Sequence, residues 1–271
     1  MGVKRAMTMV MEEIGKSSGP LFTYGPLIHN PQALEELVKQ GVTVLETIPD
    51  RLAGTVVIRT HGIPPEARRK IVDTGARVCD ATCPKVMRIH SIVHRHAGDG
   101  DRIVIVGDKG HAEVLGLAGT AGGQGVVVSG LDEAETISNR MCKESGLAVC
   151  MVAQTTQNHE LFERIVEIFK AKFDRVTVYE TICSATEERR REVLAVARQV
   201  HAMVIVGGYG SANTTRLAAL AGKAGVPTYH IEQAGELRKE WFETVKTVGV
   251  MAGASTPTWV TEEVVERLSC W

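Results

Sequence analysis

The sequence predicts an α/β protein with parallel sheets, assembled from three small related units. Three observations predict it. Short aliphatic runs alternate with stretches of helical apolar spacing, the pattern of βαβ units. Two segments align without a gap at a period of 100, so that Cys83 pairs with Cys183 and Gly107 with Gly207. Only 4% of the 271 residues are aromatic while 44% are hydrophobic. Core volume therefore comes from Val, Ile, Leu and Ala, which favours α/β packing over a β-sandwich.

The units run 1–82, 83–182 and 183–271. Each opens with a helix, expected over 3–14, 84–96 and 187–200, where Val86, Ile89 and Val93 and then Val193, Val196 and Val200 recur at helical spacing. A strand and a glycine turn follow: Leu21 to Gly25, Ile103 to Gly107, and Met203 to Gly207. A second helix comes next, as over 31–40 and 214–223. Further strands are expected over 42–45, 125–128 and 227–231. Each unit then has another strand ending in a polar turn, at His61, Thr155 and Ser255. The matches hold in detail. His29, His111 and Ser211 each lie four residues after their turn glycine, and both His111 to Thr155 and Ser211 to Ser255 span 44 positions. The first unit is a shorter, more diverged copy. Ligands of such sheets bind beyond the carboxyl ends of the strands.

Composition excludes several classes. Lys and Arg number 31 against 32 Asp and Glu, a net charge of −1, so no nucleic-acid partner is expected. No segment approaches the roughly 18 apolar residues of a membrane span, and Met1 to Lys16 lacks a signal peptide's apolar core. Six cysteines are too sparse for a disulfide scaffold. A cytoplasmic protein with no membrane partner is expected, its cysteines free thiols, fillers or metal ligands.

The polar residues repeated at the strand ends are the candidates for chemistry: His29, His61, His111, Glu113, Thr155, Thr156, Ser211, Asn213 and Ser255. Helix N-termini with histidines, hydroxyls and an amide suit a phosphate anion. Singly, Thr155, Asn213 and Ser255 read as helix caps, and His29 and His61 as structural histidines. Recurrence at matched positions points instead to a shared site. His90, His94 and His96 lie on one basic helix and read as a solvated face.

Cys83 and Cys183 precede helices, where a thiolate is favoured and can hold a metal; the other reading is two buried apolar cysteines. Cys79, Cys142 and Cys150 read as fillers, and Cys270 as unimportant. Cys83 precedes Gly107 by 24 residues, as Cys183 precedes Gly207. Counting 24 back from Gly25 reaches position 1, so a third cysteine is expected where the sequence begins. A cluster needing three equivalent thiolates is one ligand short in this chain.

A set of motifs spans nearly the whole chain: Gly2-Val3-Lys4-Arg5-Ala6, Ile28-His29-Asn30, Thr60-His61-Gly62, Asp80-Ala81-Thr82-Cys83-Pro84, Gly110-His111-Ala112-Glu113, Gln154-Thr155-Thr156, Ile182-Cys183-Ser184-Ala185-Thr186, Ser211-Ala212-Asn213 and Ala252-Gly253-Ala254-Ser255. Together they resemble the LytB/IspH family of 4-hydroxy-3-methylbut-2-enyl diphosphate reductases. The resemblance implies a trefoil of three α/β domains around a central cavity and a 4Fe-4S cluster, with Cys83 and Cys183 among its ligands. It implies a diphosphate substrate held by His29, His61, His111, Ser211, Asn213 and Ser255. Glu113 would supply protons, and Thr155 would hydrogen-bond the substrate hydroxyl. The reaction would remove that hydroxyl with two electrons and two protons, giving isopentenyl and dimethylallyl diphosphates in the non-mevalonate isoprenoid pathway. A ferredoxin or flavodoxin would donate the electrons. The sequence departs from the family pattern twice. The family's first cysteine lies in a Gly-Phe-Cys stretch just before the residue matching Met1, which implies a chain truncated after that cysteine, with the preceding strand also missing. Ala212 stands where the family usually has Ser. Two other readings remain: a cluster-less, diphosphate-binding descendant of the same fold, and a zinc protein using both cysteines and a histidine.

Overall fold

Uninterrupted aliphatic runs are the signature of strands covered on both faces, and the structure places such runs at the centre of each sheet. In the computed structural model, residues 2–16, 19–144 and 146–271 are described. The chain begins α1 (Gly2–Lys16), β1 (Leu21–Tyr24), α2 (Pro31–Lys39), β2 (Val42–Leu45), β3 (Thr55–Ile58), α3 (Pro65–Asp73) and β4 (Arg77–Asp80). It continues α4 (Pro84–Gly98), β5 (Arg102–Val106), α5 (Ala112–Ala121), β6 (Gly125–Val128), α6 (Leu131–Met141), β7 (Ala148–Ala153), α7 (His159–Lys170) and β8 (Arg175–Val178). It ends α8 (Ser184–Ala197), β9 (Ala202–Val206), α9 (Ala212–Lys223), β10 (Thr228–Ile231), β11 (Val248–Ala252) and α10 (Thr258–Ser269).

Three parallel sheets result, as expected. In the first, β3 lies between β1 and β4. The second has the order β6-β5-β7-β8, and the third β10-β9-β11. The chain forms two compact units. One comprises the residues up to Gly25 with Leu45–Cys183; the other comprises Pro26–Val44 with Ser184–Trp271.

Within the first unit the two-residue period of β5 divides its side chains between two cores. Val104 and Val106 pack with Phe162, Ile165 and Phe169 of α7. Ile103 and Ile105 pack with Ile89 and Val93 of α4 and Leu117 of α5. The second unit repeats the plan around β9. Met203 and Ile205 meet Val193 of α8 and Leu217 of α9, while Val204 and Val206 meet Val260 and Val264 of α10. Burying each such side chain contributes on the order of 1.5–3 kcal/mol. The arrangement leaves the carboxyl ends of β5 and β9 open to the turns that follow.

Helix limits differ from expectation where caps intervene. Helix α9 starts at Ala212 because the Ser211 hydroxyl accepts from the Thr214 backbone N–H at 3.4 Å. Helix α8 starts three residues early, at Ser184, and ends at Ala197. Among the described residues no helix is long and apolar enough to cross a membrane.

Candidate functional site

In the first unit the chemistry is built at the end of β5. The strand stops at a turn in which a Cβ on Gly107 would meet Val114 Cγ2 at 2.6 Å and Gln154 Oε1 at 2.9 Å. Gln154 is fully buried. Its Oε1 accepts from Asp108 N at 2.9 Å, and its Nε2 donates to Thr156 Oγ1 at 2.8 Å. This bridge ties the turn after β5 to the turn after β7. His111 caps α5, its Nδ1 accepting from Glu113 N at 3.2 Å. An accepting Nδ1 leaves the neutral ring's proton on Nε2, as a donor.

Glu113 follows at the N-terminus of α5 and is only 1% exposed. Thr155 meets both of its oxygens. Thr155 N donates to Oε1 and Thr155 Oγ1 donates to Oε2, each at 2.7 Å. A buried carboxylate without partners would be costly; the two donors and the helix end offset that cost. The result is a buried carboxyl group anchored across the turns of two adjacent strands.

His61 comes from the turn after β3, and its ring meets that of His111 edge-to-face, with centroids 5.3 Å apart. Close backbone approach makes this possible. Gly62 has φ +71°, and a Cβ there would lie 2.8 Å from His90 Nε2. A Cβ on Gly119 of α5 would lie 2.6 Å from Pro64 Cβ. The expected solvated face of His90, His94 and His96 is therefore corrected in part. Only His94 is exposed. His96 Nδ1 is paired with Asp101 at 2.6 Å, and its Nε2 lies 2.9 Å from Tyr179 Oη. His90 is half-buried against the His61 turn, and burial lowers its pKa, which keeps it neutral.

Cys83 and Cys183 occupy equivalent places. Cys83 N donates to Thr60 O at 3.0 Å, and Cys183 N to Thr155 O at 2.8 Å. Each cysteine is thus hung from the turn of the neighbouring strand and starts a helix. Lys85 Nζ lies 3.3 Å from Cys183 Sγ. Helix α1 begins directly on the other thiol, since a Cβ on Gly2 would fall 2.7 Å from Cys83 Sγ. Arg5 Nη1 donates to Thr82 O at 3.0 Å and holds α1 there. All six cysteines are free. Cys150 lies in the core, where burial pushes its thiol up to about 12, and Cys142 and Cys270 are exposed.

In the second unit the corresponding positions carry neutral groups. Ser211 caps α9, and Asn213 follows at its start, 6% exposed. Asn213 Nδ2 has no hydrogen-bond acceptor among the described residues. Ser255, after β11, donates through Oγ to the His29 carbonyl at 3.1 Å. His29 is further confined by Gly208, where a Cβ would sit 2.5 Å from the His29 carbonyl oxygen. Gly253 also excludes a side chain, since a Cβ would fall 2.1 Å from Thr214 Oγ1. The sequence singled out the capping, histidine, hydroxyl and cysteine positions but not Lys85, and it read as solvated His90, whose burial depends on the approach of glycines distant in sequence.

Comparison with known proteins gives one answer. The model of the LytB protein family matches residues 1–269. The 4-hydroxy-3-methylbut-2-enyl diphosphate reductase of Aquifex aeolicus is 42% identical over 270 residues, covering 98% of this chain and 91% of that protein. The reductase of the same name from Geobacter sulfurreducens is 43% identical over 267 residues, covering 98% and 92%. A solved structure of (E)-4-hydroxy-3-methyl-but-2-enyl diphosphate reductase, the terminal enzyme of the non-mevalonate pathway, superposes with a TM-score of 0.74. It is 40% identical, with 100% of this chain and 95% of that one covered. The Plasmodium falciparum E-1-hydroxy-2-methyl-but-2-enyl-4-diphosphate reductase superposes with a TM-score of 0.89 at 25% identity, covering 99% and 84%.

Proposed function

The chain belongs to the LytB family, and from that premise we propose that it is a 4-hydroxy-3-methylbut-2-enyl diphosphate reductase. The reaction replaces the allylic C–OH bond by C–H. Two electrons and two protons enter, and water and isopentenyl or dimethylallyl diphosphate leave. The observation that carries this reading is the buried Glu113 carboxylate clasped by Thr155. Dehydroxylation needs a proton delivered to a poor leaving group; the Glu113 carboxylate, once it has taken up one of the two entering protons, would supply it from a fixed position. Thr155 Oγ1, which donates to Glu113 Oε2, would hydrogen-bond the substrate hydroxyl and so link it to that carboxyl group. In the first unit His61 and His111 would serve as hydrogen-bond donors to diphosphate oxygens, and in the second His29, Ser211 and Asn213 would do the same, with Ser255 exchanging its bond to the His29 carbonyl for the anion. The orphaned Asn213 amide supports this, because a buried donor without an acceptor fits an anionic oxygen.

The family's enzymes are iron–sulfur oxidoreductases. Cys83 and Cys183 fit such a group in donor chemistry, since soft thiolates select iron–sulfur clusters. The Gly2 cradle at one thiol and the Lys85 ammonium at the other suit sulfur carrying negative charge. These two cysteines would hold a 4Fe-4S cluster at two corners; no third cysteine of the chain stands at a repeat-equivalent position. When bound, the cluster supplies the electrons and the Lewis acidity that weaken the C–O bond. A ferredoxin or flavodoxin in a reducing compartment such as the cytoplasm would refill it. The repeat divides the chain at 82/83 and 182/183, each boundary falling just before a cluster cysteine.

Anaerobic reconstitution with iron and sulfide tests the proposal. A broad absorbance near roughly 400 nm, together with conversion of the allylic diphosphate under dithionite, is the expected result. Diphosphate binding without colour or turnover would establish the cluster-less descendant instead. Zinc without iron or sulfide would establish the third.

A further inference from the structure

We propose that His90 is a positioning residue that sets His61 against His111. It rests on the reading of those two histidines as diphosphate ligands, but its geometry stands alone. His90 lies on α4, with its ring at the junction of the His61 turn and helix α5. Its Nδ1 is 2.7 Å from Thr120 Oγ1, and that hydroxyl donates to Gly116 O at 3.0 Å. With the Thr120 proton committed to Gly116, Nδ1 carries the histidine proton and donates. The ring is thereby fastened to α5, the helix that His111 caps.

The other edge of the ring carries no hydrogen bond. Nε2 has no hydrogen-bond partner among the described residues and faces the His61 turn. A Cβ on Gly62 would lie 2.8 Å from it, and a Cβ on Gly116 would lie 3.3 Å from Cε1 and 3.4 Å from Nε2. The same Gly116 position is 3.7 Å from the Gly62 carbonyl carbon. The imidazole therefore occupies the volume that two missing side chains would fill. It acts as a spacer between the turn that bears His61 and the helix that bears His111. Burial keeps the ring neutral, so it adds no charge to this packing. Asp80 is the carboxylate that acts on it. Nothing in this contact requires His90 to touch substrate.

The test uses the full chain with 13C-labelled histidine and inorganic diphosphate as the probe. Wild-type protein should show a nuclear Overhauser contact between the His61 and His111 rings. His90→Asn retains an N–H toward Thr120 but removes the ring edge. We expect that contact to vanish and the diphosphate dissociation constant to rise about tenfold, with the melting temperature little changed. Adding Gly116→Ala in the same chain refills the vacated volume and should restore both. Persistence of the His61–His111 contact in His90→Asn would overturn the proposal, whatever happens to affinity. Should His90→Asn fail to fold, Thr120→Val decides by the same contact: weakened in support, unchanged against. Failure of the wild-type protein to bind diphosphate counts against the ligand reading alone, and the ring contact then settles the role of His90.

Discussion

Helices α5 and α9 begin in the same way and offer different chemistry. Each follows an all-aliphatic central strand, a glycine turn and a capping residue, His111 or Ser211. The next position but one is Glu113 in one helix and Asn213 in the other. Glu113 is a buried carboxylate with both oxygens satisfied inside its own unit. Asn213 is a buried amide whose Nδ2 has no acceptor among the described residues. On the proposed reading, the same scaffold would supply proton chemistry in one repeat and neutral anion recognition in the other. A second carboxylate at position 213 would repel a diphosphate, and an amide at 113 would have no proton to give. The difference teaches that a duplicated backbone fixes where a group points, while one side chain fixes what it does. The largest effect is expected from breaking this on the Glu113 side. Glu113→Gln retains acceptor and shape but has no acidic proton. Single-turnover conversion in reconstituted enzyme should fall on the order of 10²–10⁴-fold, with diphosphate affinity nearly unchanged. A loss under tenfold would remove Glu113 as the proton source.

The next effect comes from making the third repeat resemble the second. Asn213→Asp places a negative charge where the amide donor stood. Diphosphate affinity should fall by about 10–100-fold, in line with one lost donor and one like-charge contact. Calorimetric titration at low salt measures it, and an unchanged affinity would place the anion elsewhere.

The repeat itself was legible because it is written in strand and turn residues. Gly107 and Gly207 each admit only a bare backbone, against Gln154 in one case and Thr256 in the other. Such positions survive in a sequence as spacing. Glu113, Thr155, Asn213 and Ser255 were legible as candidates for the same reason. The bidentate clasp of Glu113 by Thr155 was not, because it depends on the approach of two turns separated by 42 positions. His90 misled for a related reason. It sits beside Ile89 at the flank of an amphipathic helix, where periodicity does not decide between core and solvent. Its burial comes from Gly62 and Gly116, whose absent side chains give no hydrophobic signal. The limits of α8 were blurred because its apolar spacing extends to Val200, beyond the last hydrogen-bonded turn at Ala197.

The smallest effect concerns stability, and it asks whether the contrast between the repeats reaches beyond chemistry. Thr155 and Ser255 are equivalent residues, but their hydroxyls serve different acceptors. Thr155 Oγ1 donates to a buried carboxylate oxygen at 2.7 Å, whereas Ser255 Oγ donates to a backbone carbonyl at 3.1 Å. A hydrogen bond to a charged group is the stronger, and its removal takes a donor from a carboxylate oxygen in the interior. Thr155→Val keeps the backbone N–H on Oε1 and removes only the second donor. It should cost about 1.5–3 kcal/mol, against about 0.5–1.5 kcal/mol for Ser255→Ala. Urea denaturation of the two variants under identical conditions gives both values. Equal costs would mean that Glu113 is protonated in the resting protein, because a neutral carboxyl group loses no more than a backbone carbonyl does. The ordering therefore reports the charge that Glu113 carries in the resting protein.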